Sequence, residues 1–167
     1  RDLHSFPTRR SSDLVVDAHL LTRIREEVPG IAISTDIIVG FPGETEAMFQ
    51  ESLAFVRRQG FARLHVFPYS RRPGTPAAAR SDQVPPPVRR ERANIMQALA
   101  DEMAADYCGK FIGAMASVLF ETRQEGVADG LTDTYLRVYT EAPVKLGEIT
   151  AMRLLRPYRD GLWGEPV

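Results

Sequence analysis

Ser34-Thr35-Asp36-Ile37-Ile38-Val39-Gly40-Phe41-Pro42-Gly43-Glu44-Thr45 sets the fold class of this chain. The apolar run Ile37 to Val39 stops abruptly at Gly40-Phe41-Pro42-Gly43, and a helical pattern begins just beyond it. A strand therefore feeds a glycine-rich turn into a helix, the kind of junction at which α/β sheets hold ligands. Gly40 and Gly43 permit positive φ and a close backbone approach, and Pro42 stiffens the turn. Thr45 is a candidate N-cap, with Phe49, Leu53 and Val56 on one helical face beyond it. Free amides at that helix start would favour an anion; the alternative is a tight connection and nothing more. Asp36, inside an apolar strand, is either a satisfied structural group or part of a polar pocket, because a lone buried carboxylate costs free energy.

Outward from this stretch, Val16, Leu20 and Ile24 mark an amphipathic helix over Val15 to Val28, ended by Pro29-Gly30. Ile31 to Val39 reads as a strand, Thr45 to Gln59 as a helix stopped by Gly60, and Phe61 to Phe67 as a second strand. Strand, helix and strand in that order predict a parallel pair with a right-handed crossover. Prolines punctuate Pro68 to Pro87, which predicts an extended, irregular segment across the surface or mouth of a barrel. Helical periodicity resumes over Val88 to Cys108 through Ile95, Leu99 and Met103. Its leading Arg89, Arg90 and Arg92 read as a solvated face, with a binding patch as the alternative.

From Lys110 the character changes. Short runs at Ala116 to Glu121, Thr134 to Tyr139, Gly147 to Leu154 and Leu162 to Glu165, separated by turn signals at Glu125-Gly126, Asp129-Gly130, Pro143 and Asp160-Gly161, predict a small antiparallel barrel. Strand alternation turns Tyr135, Arg137 and Tyr139 one way and Leu136 and Val138 the other. An exposed Tyr-Arg-Tyr face could stack on bases and meet phosphate, or could be an ordinary half-exposed strand.

Composition narrows the class. Of the 167 residues 44% are apolar and 26% charged, enough for the core of one domain or two small ones. The net charge of −1 hides an asymmetry: nine arginines stand between Arg57 and Arg92 against Asp82 and Glu91. A polyanionic partner is expected first around that middle segment. No apolar run is long enough to span a membrane, and no secretory pattern is present. The lone Cys108 excludes an internal disulfide framework and fits a reducing cytoplasm.

The order T-D-I-I-V-G-F-P-G-E-T, helix, H-V-F-P-Y-S-x-R-P-G-T-P-A resembles the radical S-adenosylmethionine methylthiotransferases over Val15 to about Trp163. Among them it is most similar to the branch acting on threonylcarbamoyl-adenosine in tRNA. The resemblance implies an α/β fold: residues 15–108 as the C-terminal part of a partial (β/α)6 barrel, its last two strands, and residues 109–167 as a small all-β TRAM barrel, OB-like and RNA-binding. Arg1 to Leu14 match no part of the pattern and are set apart as a non-native or disordered leader, a native basic arm being the alternative.

The resemblance also implies a site. The backbone at Ile38, Val39 and Gly40, with the strand end from Phe67 to Tyr69, would lie against S-adenosylmethionine, with Asp36 nearby. Arg72, with Arg71 beside it, would contact substrate, since guanidinium pairs with a carboxylate or phosphate and threonylcarbamoyl-adenosine carries a carboxylate. Tyr135 and Arg137 would contact RNA. His65 shares a strand face with Arg63 and Phe67 and is either structural or able to reach the pocket. Two four-iron four-sulfur clusters belong to the intact parent, and their cysteine loop has no counterpart here, so no residue of this chain is expected to be catalytic. The implied partners are the anticodon loop of a tRNA and the missing N-terminal part of the same cytoplasmic enzyme. The isopentenyl-adenosine branch, the ribosomal-protein branch, a non-catalytic RNA-binding module and a truncated chain without independent function are the competing readings. An incomplete barrel would expose a strand edge and be poorly soluble unless covered.

Overall fold

The structure is a computed structural model that describes the backbone from Ser11 to Val167 and side chains from Ala18 onward. Contacts divide the chain into residues 1–31 and 32–167. In the first unit α1 spans Ser11–Glu27, beginning before the expected Val15. The rest of the expected leader lies outside the described residues. Leu20, placed on the apolar face by periodicity, is 54% exposed, so burial on α1 is weaker than that pattern implied.

The second unit opens with β1 (Ser34–Val39), α2 (Glu46–Gln59) and β2 (Arg63–Pro68). As expected, β1 and β2 are parallel, in a register that sets Asp36 opposite His65 and Ile38 opposite Phe67. Thr45 caps α2: its side chain accepts from the Met48 amide at 3.2 Å, and Gly60 in the left-handed conformation ends the helix. Phe49 and Val56 are buried with Phe55, while Leu53 is half-buried. A single helical turn, α3 (Pro76–Ala79), capped by Thr75, interrupts the expected irregular proline-rich segment. Then α4 (Pro86–Gly109) packs against α2 and β2 through Met96, Leu99, Ala100 and Met103. Ile95, expected on that face, is 43% exposed instead.

Pleating assigns the two faces of the small sheet. Val39 and Leu64 are buried on one side, whereas Ser34, Asp36, Ile38, Arg63, His65 and Phe67 form the exposed other side. Asp36 is therefore not a carboxylate inside an apolar strand, and the desolvation argument made for it does not apply.

The remaining strands, β3 (Met115–Gln124), β4 (Val127–Thr132), β5 (Arg137–Thr140), β6 (Ile149–Tyr158) and β7 (Gly161–Pro166), close into a barrel in the order β3-β4-β5-β7-β6. Two corrections follow. The sequence reading took Asp129-Gly130 as a turn, yet both lie in β4, where a Cβ on Gly130 would come 2.2 Å from the Leu119 carbonyl oxygen. The glycine lets the barrel wall close rather than breaking a strand. The barrel is also not wholly antiparallel, since β5 pairs with β7 in parallel through Val138 and Tyr139. Val118, Phe120, Ala128, Leu136, Val138, Met152, Leu154 and Leu162 fill the interior.

Candidate functional site

The turn after β1 and the segment after β2 meet at the same end of the sheet. The Tyr69 amide donates to the Val39 carbonyl at 2.9 Å, and the Phe41 and Tyr69 rings pack edge to face at 5.2 Å. Gly40, at φ 71°, gives its amide to Glu44 Oε2 at 2.7 Å. Arg92 Nη1 donates to the same oxygen at 2.7 Å and to the Glu44 carbonyl at 3.0 Å, while Nη2 reaches Glu46 at 3.1 Å. Hydrogen bonds from Gln50 and then Arg92 hold the Glu46 carboxyl below its ordinary range. The carboxylate bound by the turn amide of Gly40 is thus the chain's own Glu44, while at the helix start the Met48 amide goes to Thr45. Arg92 is 6% exposed and the half-buried Arg89 donates to the Tyr69 carbonyl at 2.6 Å, so these two do not form the solvated face expected for them. Arg90 alone of the three is exposed.

These bonds decide which atoms remain open to a ligand. Backbone groups alternate in direction along a strand, and the Val39 carbonyl faces β2, so the Ile38 amide and carbonyl turn to the other edge of β1. Among the described residues no strand pairs with that edge. Ile38 on β1 and Phe67 opposite it on β2 are 54% and 50% exposed, and the Tyr69 hydroxyl is shut off from water without a partner. An open amide and carbonyl at the β1 edge suit the edge of a nucleobase, and the two exposed apolar side chains offer a surface on the sheet face. The chain has one cysteine, and among the described residues no group of three His, Cys, Asp or Glu is placed to hold a metal. Burial raises the pKa of the one thiol, Cys108.

The other expected site residues separate. Arg71 Nε is tied to the Ala78 carbonyl at 2.9 Å, whereas Arg72 is exposed and its carbonyl takes the Thr75 hydroxyl at 2.8 Å. His65 lines a cleft of about 220 Å³ with Arg63, Tyr107, Cys108, Arg137 and Asp160.

On the barrel the expected Tyr-Arg-Tyr face is not formed. Tyr135 lies outside β5, at φ 58°, and is 78% exposed. Arg137 is paired with Asp129, and Tyr139 is 6% exposed with its hydroxyl donating to Asp160. Burial first, then Asp160, pushes the Tyr139 phenol up to about 12. What the fold builds instead is a ladder of rings and guanidinium groups. Tyr139, Tyr158 and Trp163 contact edge to face at 5.2 and 5.0 Å. Arg156 lies 5.1 Å from the Trp163 ring, and Arg159 lies 5.2 Å from the Tyr158 ring. The sequence reading missed Arg156, Tyr158, Arg159 and Trp163 because Asp160-Gly161 marked the segment as a turn. The interleaved Arg156-Pro157-Tyr158-Arg159 was the signal available.

No protein-family profile matches the chain. It is 36% identical to the threonylcarbamoyladenosine tRNA methylthiotransferase MtaB of Bacillus subtilis (strain 168) over 162 residues, 92% of this chain and 36% of that protein. Identity is 45% over 117 residues to the ribosomal protein uS12 methylthiotransferase RimO of Anaeromyxobacter sp. (strain K), covering 70% of this chain and 25% of that one. It is 37% over 154 residues to the tRNA-2-methylthio-N(6)-dimethylallyladenosine synthase of Rickettsia felis, covering 89% and 34%. The chain thus spans between a quarter and about a third of the length of the curated relatives it matches. Taken with the joined strand ends, these identities make the chain a member of the radical S-adenosylmethionine methylthiotransferase family.

Proposed function

We propose that this chain is the C-terminal portion of a tRNA-modifying enzyme that methylthiolates C2 of threonylcarbamoyl-adenosine in the anticodon loop. Residues 15–108 contribute the last two strands of a (β/α)6 barrel and residues 109–167 a TRAM domain. The observation that carries the reading is the bare face of a parallel pair. Parallel sheets are covered on both faces, yet here Ile38 and Phe67 stand open on one of them. A preceding part of the same polypeptide, which would also hold both iron–sulfur clusters, covers that face.

S-adenosylmethionine, when bound, supplies the methyl group and the radical chemistry. The chain's own part is to bind and orient. Ile38 offers its edge amide and carbonyl to the adenine, Ile38 and Phe67 cover the ring, and the Val39-to-Tyr69 bond fixes the spacing of the two strand ends. Gly40 keeps the turn tight, while Asp36 and the Tyr69 hydroxyl lie near the ligand's polar parts. Arg72, held out on the Thr75-capped turn, meets the carboxylate of the modified base, and Arg71 braces that turn.

The barrel order and its parallel closing pair support an OB-like RNA-binding role. In this reading the end of β6 carries Arg156 and the β6–β7 turn carries Arg159. RNA is met by Arg156, Arg159 and the exposed Tyr135, with Arg137 organising the carboxylates beneath them. The tRNA substrate places the enzyme in the cytoplasm. Mass spectrometry of tRNA nucleosides from a deletion strain tests the assignment: methylthio-threonylcarbamoyl-adenosine disappears while the isopentenyl-adenosine derivative persists. Unchanged methylthiolation of threonylcarbamoyl-adenosine refutes it.

A further inference from the structure

We propose that Arg89 is a positioning residue that fixes the two ligand-facing strand ends, with Arg92 as its anchor. This rests on the reading of those ends as the cofactor edge. Arg89 Nη1 donates to the Tyr69 carbonyl at 2.6 Å, and the methylene stem lies so close to Gly40 that a Cβ there would come 2.3 Å from Arg89 Cγ. One side chain therefore touches the backbone of both segments, beside the bond from the Tyr69 amide to Val39. Arg92, on the adjacent turn of α4, grips the Gly40–Glu44 loop through both the carboxylate and the carbonyl of Glu44. Helix α4 is thereby pinned to the turn after β1 and to the segment after β2.

The side chain chosen is poor as simple filling. Arg89 Nε is shut off from water without a partner, a cost that an apolar side chain of similar length would avoid. What only the guanidinium supplies is a charged donor at the Tyr69 carbonyl, which directs that peptide and the ring that follows from it. The geometry assigns Arg89 to holding Tyr69 against Val39 so that the neighbouring Ile38 edge has one fixed shape.

Arg89→Met keeps the stem against Gly40 and removes the donor, and Arg89→Lys restores a donor. In the full 167-residue chain, amide hydrogen exchange at Tyr69 should rise about tenfold in Arg89→Met, with Leu64 and the barrel amides unchanged and most of the effect reversed in Arg89→Lys. Chemical shifts of Ile38 to Gly40 during titration with S-adenosylhomocysteine should report an affinity about tenfold weaker in the Met variant. Unchanged Tyr69 exchange, or exchange raised equally across the sheet in step with a lower melting temperature, overturns the positioning role. If the wild-type chain shows no shift with the probe, the cofactor reading falls, while the exchange pattern still decides what Arg89 does.

Discussion

The pair of Arg92 and Glu44 gives a sharp quantitative test, because its side chains are only 7% and 12% exposed. Replacing Arg92 with Met leaves Glu44 with the Gly40 amide as a donor but no cation. Breaking a buried pair from one side costs about 3–5 kcal/mol, and the surviving donor puts this case near the lower end, about 3 kcal/mol. Glu44→Gln keeps an acceptor and strands Arg92 with Glu46, which is 66% exposed and so contributes little. Its cost is about 2 kcal/mol. The double variant strands no charge and should lose only about 2 kcal/mol in all, so the two sites couple by about 3 kcal/mol. Urea unfolding followed by far-ultraviolet circular dichroism is the right assay, because the sole tryptophan, Trp163, lies in the barrel and would not report on α2 and α4. Losses that add in the double variant to within about 0.5 kcal/mol would refute the picture of a shielded, mutually dependent pair.

Further outcomes follow from the barrel. Gly130→Ala sets a methyl 2.2 Å from the Leu119 carbonyl oxygen, and since backbone cannot swing aside, a loss of about 3 kcal/mol is expected in unfolding followed by Trp163 fluorescence. Burial and then Asp160 push the Tyr139 phenol from its ordinary 10.0 up to about 12. The folded state thus favours the neutral phenol, and its contribution is complete below pH 10 and is lost as pH climbs toward about 12. Tyr107 is also raised by burial, so phenolate absorbance should show a step toward about 12 that Tyr139→Phe removes; an unchanged titration curve in that variant would contradict the assignment. Replacing Arg156 and Arg159 together with Ala should weaken tRNA binding and flatten its salt slope by about 1 to 2 units. An unchanged slope would remove the ladder from the RNA face.

Local causes were legible in the sequence, and distant ones were not. The turn from Gly40 to Thr45 and the stop at Gly60 could be read because cap and glycine chemistry acts within a few residues. Helix α4 was placed correctly, but its arginines looked like a solvated charge run because the carboxylate that takes Arg92 lies 48 residues earlier in the chain. Gly130 looked like a turn because its requirement comes from Leu119 on the neighbouring strand, which only barrel closure brings close. Alternation failed at Tyr135 because it presumes a continuous strand, whereas the left-handed residue there and the Leu136 amide bonded to Thr132 at 3.0 Å make a tight corner. Tyr139 was then drawn inward by Asp160, which the β6–β7 turn delivers.

The same distinction bears on how a ligand is recognised at the strand ends. A glycine turn leading into a helix suggests an anion site, and Glu44 shows why that inference fails here: the carboxylate that such a site would attract is already supplied by the chain and neutralised by Arg92. An incoming phosphate or carboxylate would have to displace Glu44 and leave it unpaired. In the function proposed above, recognition falls to the Ile38 edge and the exposed apolar surfaces of Ile38 and Phe67, which suit a flat, uncharged ring. An internally satisfied turn has one further effect. Its hydrogen bonds are complete within the chain, so the strand-end geometry is set by α4 and its arginines.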